Sequence, residues 1–141
     1  MNKEFIPYEQ AFELKQLGYD GECTMYYSPG HPEGFYLVDA TPLTNSHWLF
    51  TADDKERRKV MCTAPLYQQA FRWFREKYGL YADLFVDDDR TFGFCVSSFA
   101  EEGRCRLDKP IKRQFSTYEE SELECIKFLI EIVDRKAEAY S

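Results

Sequence analysis

The C-terminal part of the chain carries the strongest folding signal, an amphipathic segment over residues 118–138. Apolar residues recur there at steps of three and four, which places them on one face of a helix; they are Leu123, Ile126, Ile130, Val133 and Ala137. Thr117 and Glu120 match a capping box, in which each side chain satisfies a free backbone N–H at the helix start. The sequence therefore predicts a long helix with one wide face that packs on another element.

The middle of the chain carries the other period, alternation at every second residue. In residues 81–86, Ala82, Leu84 and Val86 alternate with Tyr81, Asp83 and Phe85, and residues 92–97 alternate in the same way. This period is typical of antiparallel strands with unlike faces. Residues 87–90, with the sequence DDDR, separate the two runs and predict a hairpin turn.

Two shorter helices are indicated nearer the N-terminus. The first covers residues 8–17, between Pro7 and Gly18, which suit the start and the end of a helix. In the second, Thr63 is the predicted cap and Gly79 the predicted end. Its apolar stripe steps by four, three and four through Tyr67, Phe71, Phe74 and Tyr78. We expect both helices to bury one face.

Further strands are predicted over residues 23–27 and 35–39, and another within 104–115, where Pro110 must lie at an edge or an end. Residues 41–62 show no clear period and are predicted to form a long loop. Because the strands come in adjacent pairs, the expected class is α+β: an antiparallel sheet of four or five strands with three helices packed mainly on one face. The length of 141 residues fits a single globular domain, residues 1–141.

Composition limits the classes of function. A net charge of −7 disfavours non-specific nucleic-acid binding, which depends on Lys and Arg. The aromatic share of 17% predicts a ring-rich core, and leaves open that some rings form a recognition surface. Five cysteines without a C-x-x-C pair, and an N-terminus without a signal peptide, favour reduced thiols and a cytoplasmic location. No run is long enough for a membrane span.

Residues capable of chemistry do not combine into a known pattern. Two histidines, His31 and His47, could join Cys23 and Cys62, but neither pairing has a zinc spacing. Residues 87–89 could hold a hard cation, although a solvated turn explains the same aspartates. No phosphate-binding glycine motif occurs. We therefore assign no catalytic, cofactor-binding or metal-binding residue and expect no cofactor.

Positive charge is clustered, in contrast to the acidic total. The candidate partner-binding residues are Arg72, Arg75, Arg104, Arg106, Lys112 and Arg113. If they share a face, they can meet an acidic partner or a phosphate backbone. The alternative is an edge strand that charge protects against aggregation.

Three strings of the sequence resemble a group of small proteins from phages and mobile elements of gut bacteria. They are residues 63–80 (TAPLYQQAFRWFREKYGL), residues 118–132 (YEESELECIKFLIEI) and the opening EFIPYEQA of residues 4–11 with LGY at 17–19. The resemblance covers all three predicted helices, and residues 28–62 lie outside it. It implies an origin in a phage or mobile element and an intracellular location. The group has no assigned activity, so no site residue follows.

These observations favour an accessory protein without catalytic activity that binds another protein or a second copy of itself. The alternative is a nucleic-acid-associated protein that uses the basic clusters. An enzyme ranks last, and would require a deep pocket with convergent polar groups.

Overall fold

The computed structural model describes residues 4–29, 35–46, 60–100, 103–106 and 112–139. These ranges include three helices: α1 (Tyr8–Gln16), α2 (Tyr67–Tyr78) and α3 (Tyr118–Ala139). They also include seven strands: β1 (Cys23–Pro29), β2 (Phe35–Leu43), β3 (Cys62–Thr63), β4 (Leu80–Val86), β5 (Phe92–Ala100), β6 (Gly103–Arg106) and β7 (Lys112–Phe115). Every pairing among these described strands is antiparallel, so the predicted α+β class is confirmed.

The chain divides into two compact units, Met1–Gln69 and Ala70–Ser141. The first contains α1, β1, β2, β3 and the start of α2. The second contains the rest of α2, the four remaining strands and α3. That the two units form one domain stays a prediction.

The sheet of the first unit has the order β2-β1-β3. Strand β1 pairs with β2 from Cys23↔Leu43 to Pro29↔Phe35, and with the two-residue strand β3 through Tyr27↔Cys62. Both strands are longer than predicted: β1 extends to Pro29 and β2 extends to Leu43. The predicted 41–62 loop therefore begins inside β2 and ends inside β3, and residues 47–59 lie outside the described ranges.

A buried asparagine joins three parts of the first unit. The Asn45 Nδ2 donates to the Tyr19 carbonyl at 2.9 Å, and its Oδ1 accepts the Thr63 N–H at 2.9 Å. Next to it, the Ser46 N–H and hydroxyl donate to the Asp20 carboxylate at 2.8 and 2.6 Å. The residues after β2 are thus tied to the end of α1 and to β3 by side chains rather than by strand pairing.

The sheet of the second unit is built around β5. On one side, β4 pairs with it in continuous register from Leu80↔Ser98 to Val86↔Phe92, which confirms the predicted hairpin. On the other side, β6 and β7 pair with opposite ends of β5. The prediction of one strand within residues 104–115 is corrected to two, and Pro110 lies outside the described ranges. Helix α3 packs across β5, β4 and β7; the packing of all helices on one face stays a prediction.

The helix ends test the predicted caps. The Thr117 Oγ1 accepts the Glu120 N–H at 3.1 Å, as predicted, while the Glu120 carboxylate accepts the Ser116 N–H at 3.1 Å, one residue before the expected donor. Gly18 and Gly79 adopt left-handed φ values of 99° and 67° after their helices, the conformation for which glycine is suited.

The predicted cap of α2 is wrong. Thr63 pairs with Tyr26 in β3, so its backbone belongs to the sheet, and α2 begins at Tyr67. The residue before the helix is Leu66, which has no side-chain acceptor. Its own N–H donates to the Gln69 Oε1 at 2.8 Å, which is the reverse half of a capping box. Strand pairing with a distant residue has overridden the local preference of threonine for a cap.

Rings fill much of the interior, as the composition predicted. In the second unit, Phe94 lies under α3, with its ring 6.0 Å from those of Phe115 and Phe128. Ile126 and Leu129 of α3 are fully buried. The helix therefore stabilises one face of the sheet by removing aromatic and aliphatic surface from water.

Candidate partner-binding site

The two arginines of α2 that were predicted to bind a partner lie in solvent. Arg72 Nε donates to the Glu76 carboxylate at 2.8 Å, one turn along the same helix, and both side chains are exposed. The same contact raises the pKa of Arg72. Arg75 is also exposed and forms no ion pair with a described residue. An exposed pair of this kind adds little stability. Because these charged side chains are exposed, this side of α2 is a solvated surface of mixed charge.

The other four predicted residues lie on a single edge of β5. Arg104 and Arg106 of β6 pair with Phe99 and Ser97. On β7, Lys112 pairs with Phe94 and Arg113 follows it. The topology thus places these four basic positions along the same side of β5, while a common face with the arginines of α2 stays a prediction. We call Arg104, Arg106, Lys112 and Arg113 the basic edge.

A second surface, at the hairpin end of the second unit, was not predicted. Val86 is the last residue of β4 and is 64% exposed. It pairs with the half-buried Phe92, so the two side chains share a face of the sheet. The Phe92 ring meets the Tyr118 ring edge-on at 6.1 Å, and Tyr118 is 45% exposed. We call Val86, Phe92 and Tyr118 the hairpin-end patch.

The exposure of this patch follows from where α3 begins. Phe94 and Val96 lie on the same face of β5 as Phe92 and are buried, because α3 packs over that part of the sheet. Tyr118 is the first residue of α3. The strand ends at Val86 and Phe92 therefore lie at the margin of the helix cover. The patch is formed by regular elements on both sides, a paired hairpin and the first turn of a capped helix.

The turn beside the patch contains several hydrogen bonds of its own. The Arg90 N–H donates to the Asp87 carbonyl at 3.0 Å, and the Asp87 N–H donates to the Thr91 carbonyl at 2.8 Å. The Thr91 hydroxyl donates to the Asp89 carboxylate at 2.6 Å. Asp89 thus serves the turn, in line with the interpretation that these aspartates form a turn. Within the described ranges, no group of three potential metal ligands occurs.

Two acidic residues of α3 lie next to the patch. Glu119 follows Tyr118, and Glu122 is one turn further along α3. Burial, with a smaller effect from Glu119, raises the pKa of Glu122 to about 7. Burial also raises the pKa of Tyr118, with Glu122 as the second cause. In the part of the chain that the structure describes, neither Glu119 nor Glu122 has a Lys or Arg partner.

The cysteines show no sign of activation where their surroundings are described. Burial raises the pKa of Cys23, and raises the pKa of Cys62 to about 12. A reactive thiol requires the opposite shift, toward the thiolate. Cys95 and Cys125 are buried thiols. His31 and His47, the two possible metal ligands that the sequence offers beside Cys23 and Cys62, lie outside the described ranges.

Comparison with known proteins adds no further guide to the site. No protein-family model matches the chain, and neither a curated protein nor a solved structure is significantly similar to it. Among the described residues, no helix combines the length and the apolar character that crossing a membrane requires. The candidates for function are therefore the strand positions of the basic edge and the exposed side chains of the hairpin-end patch.

Proposed function

We propose that this protein is an accessory protein that acts by binding another protein through the hairpin-end patch. The observation that carries the proposal is the adjacency of Val86, Phe92 and Tyr118, of which Val86 and Tyr118 are exposed. Contiguous exposed apolar side chains are a feature of protein interaction sites. Tyrosine is also enriched at protein interfaces, because its ring offers apolar area and its hydroxyl a hydrogen bond.

The proposal is tested by site-specific crosslinking in the cells that produce the protein. A photoreactive phenylalanine analogue replaces Val86 in one variant and Leu66, which is 40% exposed in the first unit, in the control. We expect a discrete crosslinked partner from position 86 and none from position 66. Equal crosslinking from both positions, or none from position 86, would contradict the proposal.

The resemblance of the helix sequences supports a phage or mobile-element origin, with the partner supplied by the host cell or by the element itself. A cytoplasmic location is part of the same proposal, and five cysteines without a paired spacing support it. Fractionation of the producing cells, with the protein detected in the soluble or the membrane fraction, tests the location.

The basic edge supports a second candidate function, binding to a nucleic acid. Four basic positions along one edge can follow a phosphate backbone, although the net charge of −7 opposes such binding. Fluorescence anisotropy with a labelled duplex measures it. Affinity that falls steeply with salt, and is lost when Arg104 and Arg106 are replaced by Glu, would favour this function. Absence of binding at low salt would exclude it.

A further inference from the structure

Building on the proposed function, we propose that the hairpin-end patch receives a cationic amphipathic segment of its partner. Apolar side chains of that segment cover Val86, Phe92 and Tyr118, and its Lys or Arg side chains meet the carboxylates of Glu119 and Glu122. The occupant is thus a basic segment of a second protein, rather than an acidic peptide, a nucleic acid or a second copy of this chain.

The acidic residues beside the patch determine which charge a partner segment must carry. Glu119 and Glu122 lie one and four residues after Tyr118, and each repels the other in the absence of a described basic partner. The basic residues that form ion pairs on α3, Lys127 and Arg135, lie further along the helix and pair with Glu124 and Glu131. A cation supplied from outside would remove the repulsion, while an anion would add to it.

The hairpin turn that follows Val86 adds further acidic residues. Asp87 follows Val86 directly, and Asp88 is exposed in the same turn. Arg90 is the single basic residue of the turn, against three aspartates in residues 87–89. The helix start and the hairpin turn that adjoin the patch in sequence therefore both carry acidic residues. An amphipathic segment with an apolar stripe and basic flanks matches that arrangement, and docks as such segments do in apolar grooves.

Direct binding tests the chemistry of the partner. The probes are two short synthetic amphipathic helices of equal length, one of Leu and Lys and the other of Leu and Glu. Titration into the labelled protein, followed by amide NMR shifts, should show binding of the Lys peptide at the patch and none of the Glu peptide. Binding of the Glu peptide, or shifts located away from the patch, would overturn the proposal.

Three variants separate the apolar from the charged contribution. The double variant Glu119→Gln, Glu122→Gln should weaken binding of the Lys peptide by about fivefold, the scale for losing two partly exposed ion pairs. Val86→Thr keeps the β-branched shape and should also weaken it, because it removes apolar contact. The matched control is the double variant Glu124→Gln, Glu131→Gln, which removes the same charge from the same helix at residues paired with Lys127 and Arg135, and should change affinity by less than about twofold. Equal weakening by the two double variants would mean that only the total charge matters, and would overturn the proposal.

The crosslinking assay distinguishes failure here from failure of the proposed function. If position 86 crosslinks a partner protein and the double variant does not lower the yield at low salt, the protein-binding function stands and the cationic partner is wrong. If position 86 crosslinks a second copy of this chain, the commitment to a separate basic partner is overturned. If it crosslinks nothing, the proposed function itself fails.

Discussion

The asparagine that joins three parts of the first unit offers the sharpest test of its architecture. Asn45 is 9% exposed and uses its amide in both directions, toward the Tyr19 carbonyl and the Thr63 N–H. Asn45→Ala removes both hydrogen bonds and leaves two buried backbone groups without these partners. Each such group costs about 1–3 kcal/mol. We therefore expect a loss of about 3 kcal/mol in the free energy of unfolding, a large fraction of the stability of a small protein.

Two measurements check this expectation. Urea denaturation gives the change in the free energy of unfolding, and amide hydrogen exchange at Thr63 reports directly on the N–H that loses its acceptor. The control is Ser46→Ala, which removes an exposed hydroxyl donated to Asp20 and should cost less than about 1 kcal/mol. An Asn45→Ala protein with unchanged midpoint and unchanged Thr63 protection would refute the view that this side chain holds the unit together.

Asn45→Asp separates loss of one hydrogen bond from loss of both. A carboxylate can still accept the Thr63 N–H but cannot donate to the Tyr19 carbonyl. Burial raises the pKa of such a carboxyl group, so the folded state should bind a proton more tightly than the unfolded state. The variant should then lose stability as pH rises through its folded pKa, and recover part of it at acidic pH, where the protonated group can donate again. A pH-independent deficit would contradict this account.

Two further predictions concern α3. Glu122 has its pKa raised from 4.5 to about 7 by burial and by Glu119, so its ionisation opposes folding; stability should fall as pH rises from about 4.5 through 7. Glu122→Gln should therefore raise the free energy of unfolding by about 1 kcal/mol at pH 8, a value reduced for the solvent that reaches the side chain. The variant should gain no stability well below pH 4.5. Urea denaturation at the two pH values measures the difference, and an equal gain at both would contradict the prediction. Thr117→Ala should lower the free energy of unfolding by about 1 kcal/mol, because the helix loses its cap. Thr117→Ser should keep most of that stability, because serine can still accept the same hydrogen bond.

Periodic signals explain which elements could be predicted from the sequence. The helix predicted over 118–138 is α3 (Tyr118–Ala139), and the one over 8–17 is α1 (Tyr8–Gln16), because each is specified by neighbouring residues and local caps. The β4–β5 hairpin is local in the same sense. Strand β3 has two residues, and its pairing with β1 depends on contacts distant in sequence. No local pattern distinguishes such a strand from a helix cap, which is why Thr63 was misassigned.

The two candidate binding sites were harder to predict from the sequence, because they too depend on contacts between residues that are distant in sequence. Charge clusters marked the basic residues, but the arrangement of β6 and β7 along one edge of β5 depends on the register of pairing. Val86 and Tyr118 read as ordinary apolar positions of a strand and a helix. Their exposure depends on where α3 begins relative to the end of the hairpin, which is a property of tertiary packing and leaves no local signal.

Three residues at the hairpin end of the second unit are unfavourable choices for their local environments. Val86 exposes an aliphatic side chain, Glu122 is partly buried beside another carboxylate, and Arg90 adopts a left-handed φ of 66° that costs a non-glycine residue about 1 kcal/mol. The backbone requires none of these choices, because threonine, glutamine and glycine respectively fit the same conformations. Costly departures that the fold does not demand concentrate at functional sites. Their coincidence in one hairpin turn and one helix start favours this end of the unit, over the solvated face of α2, as the surface that binds a partner.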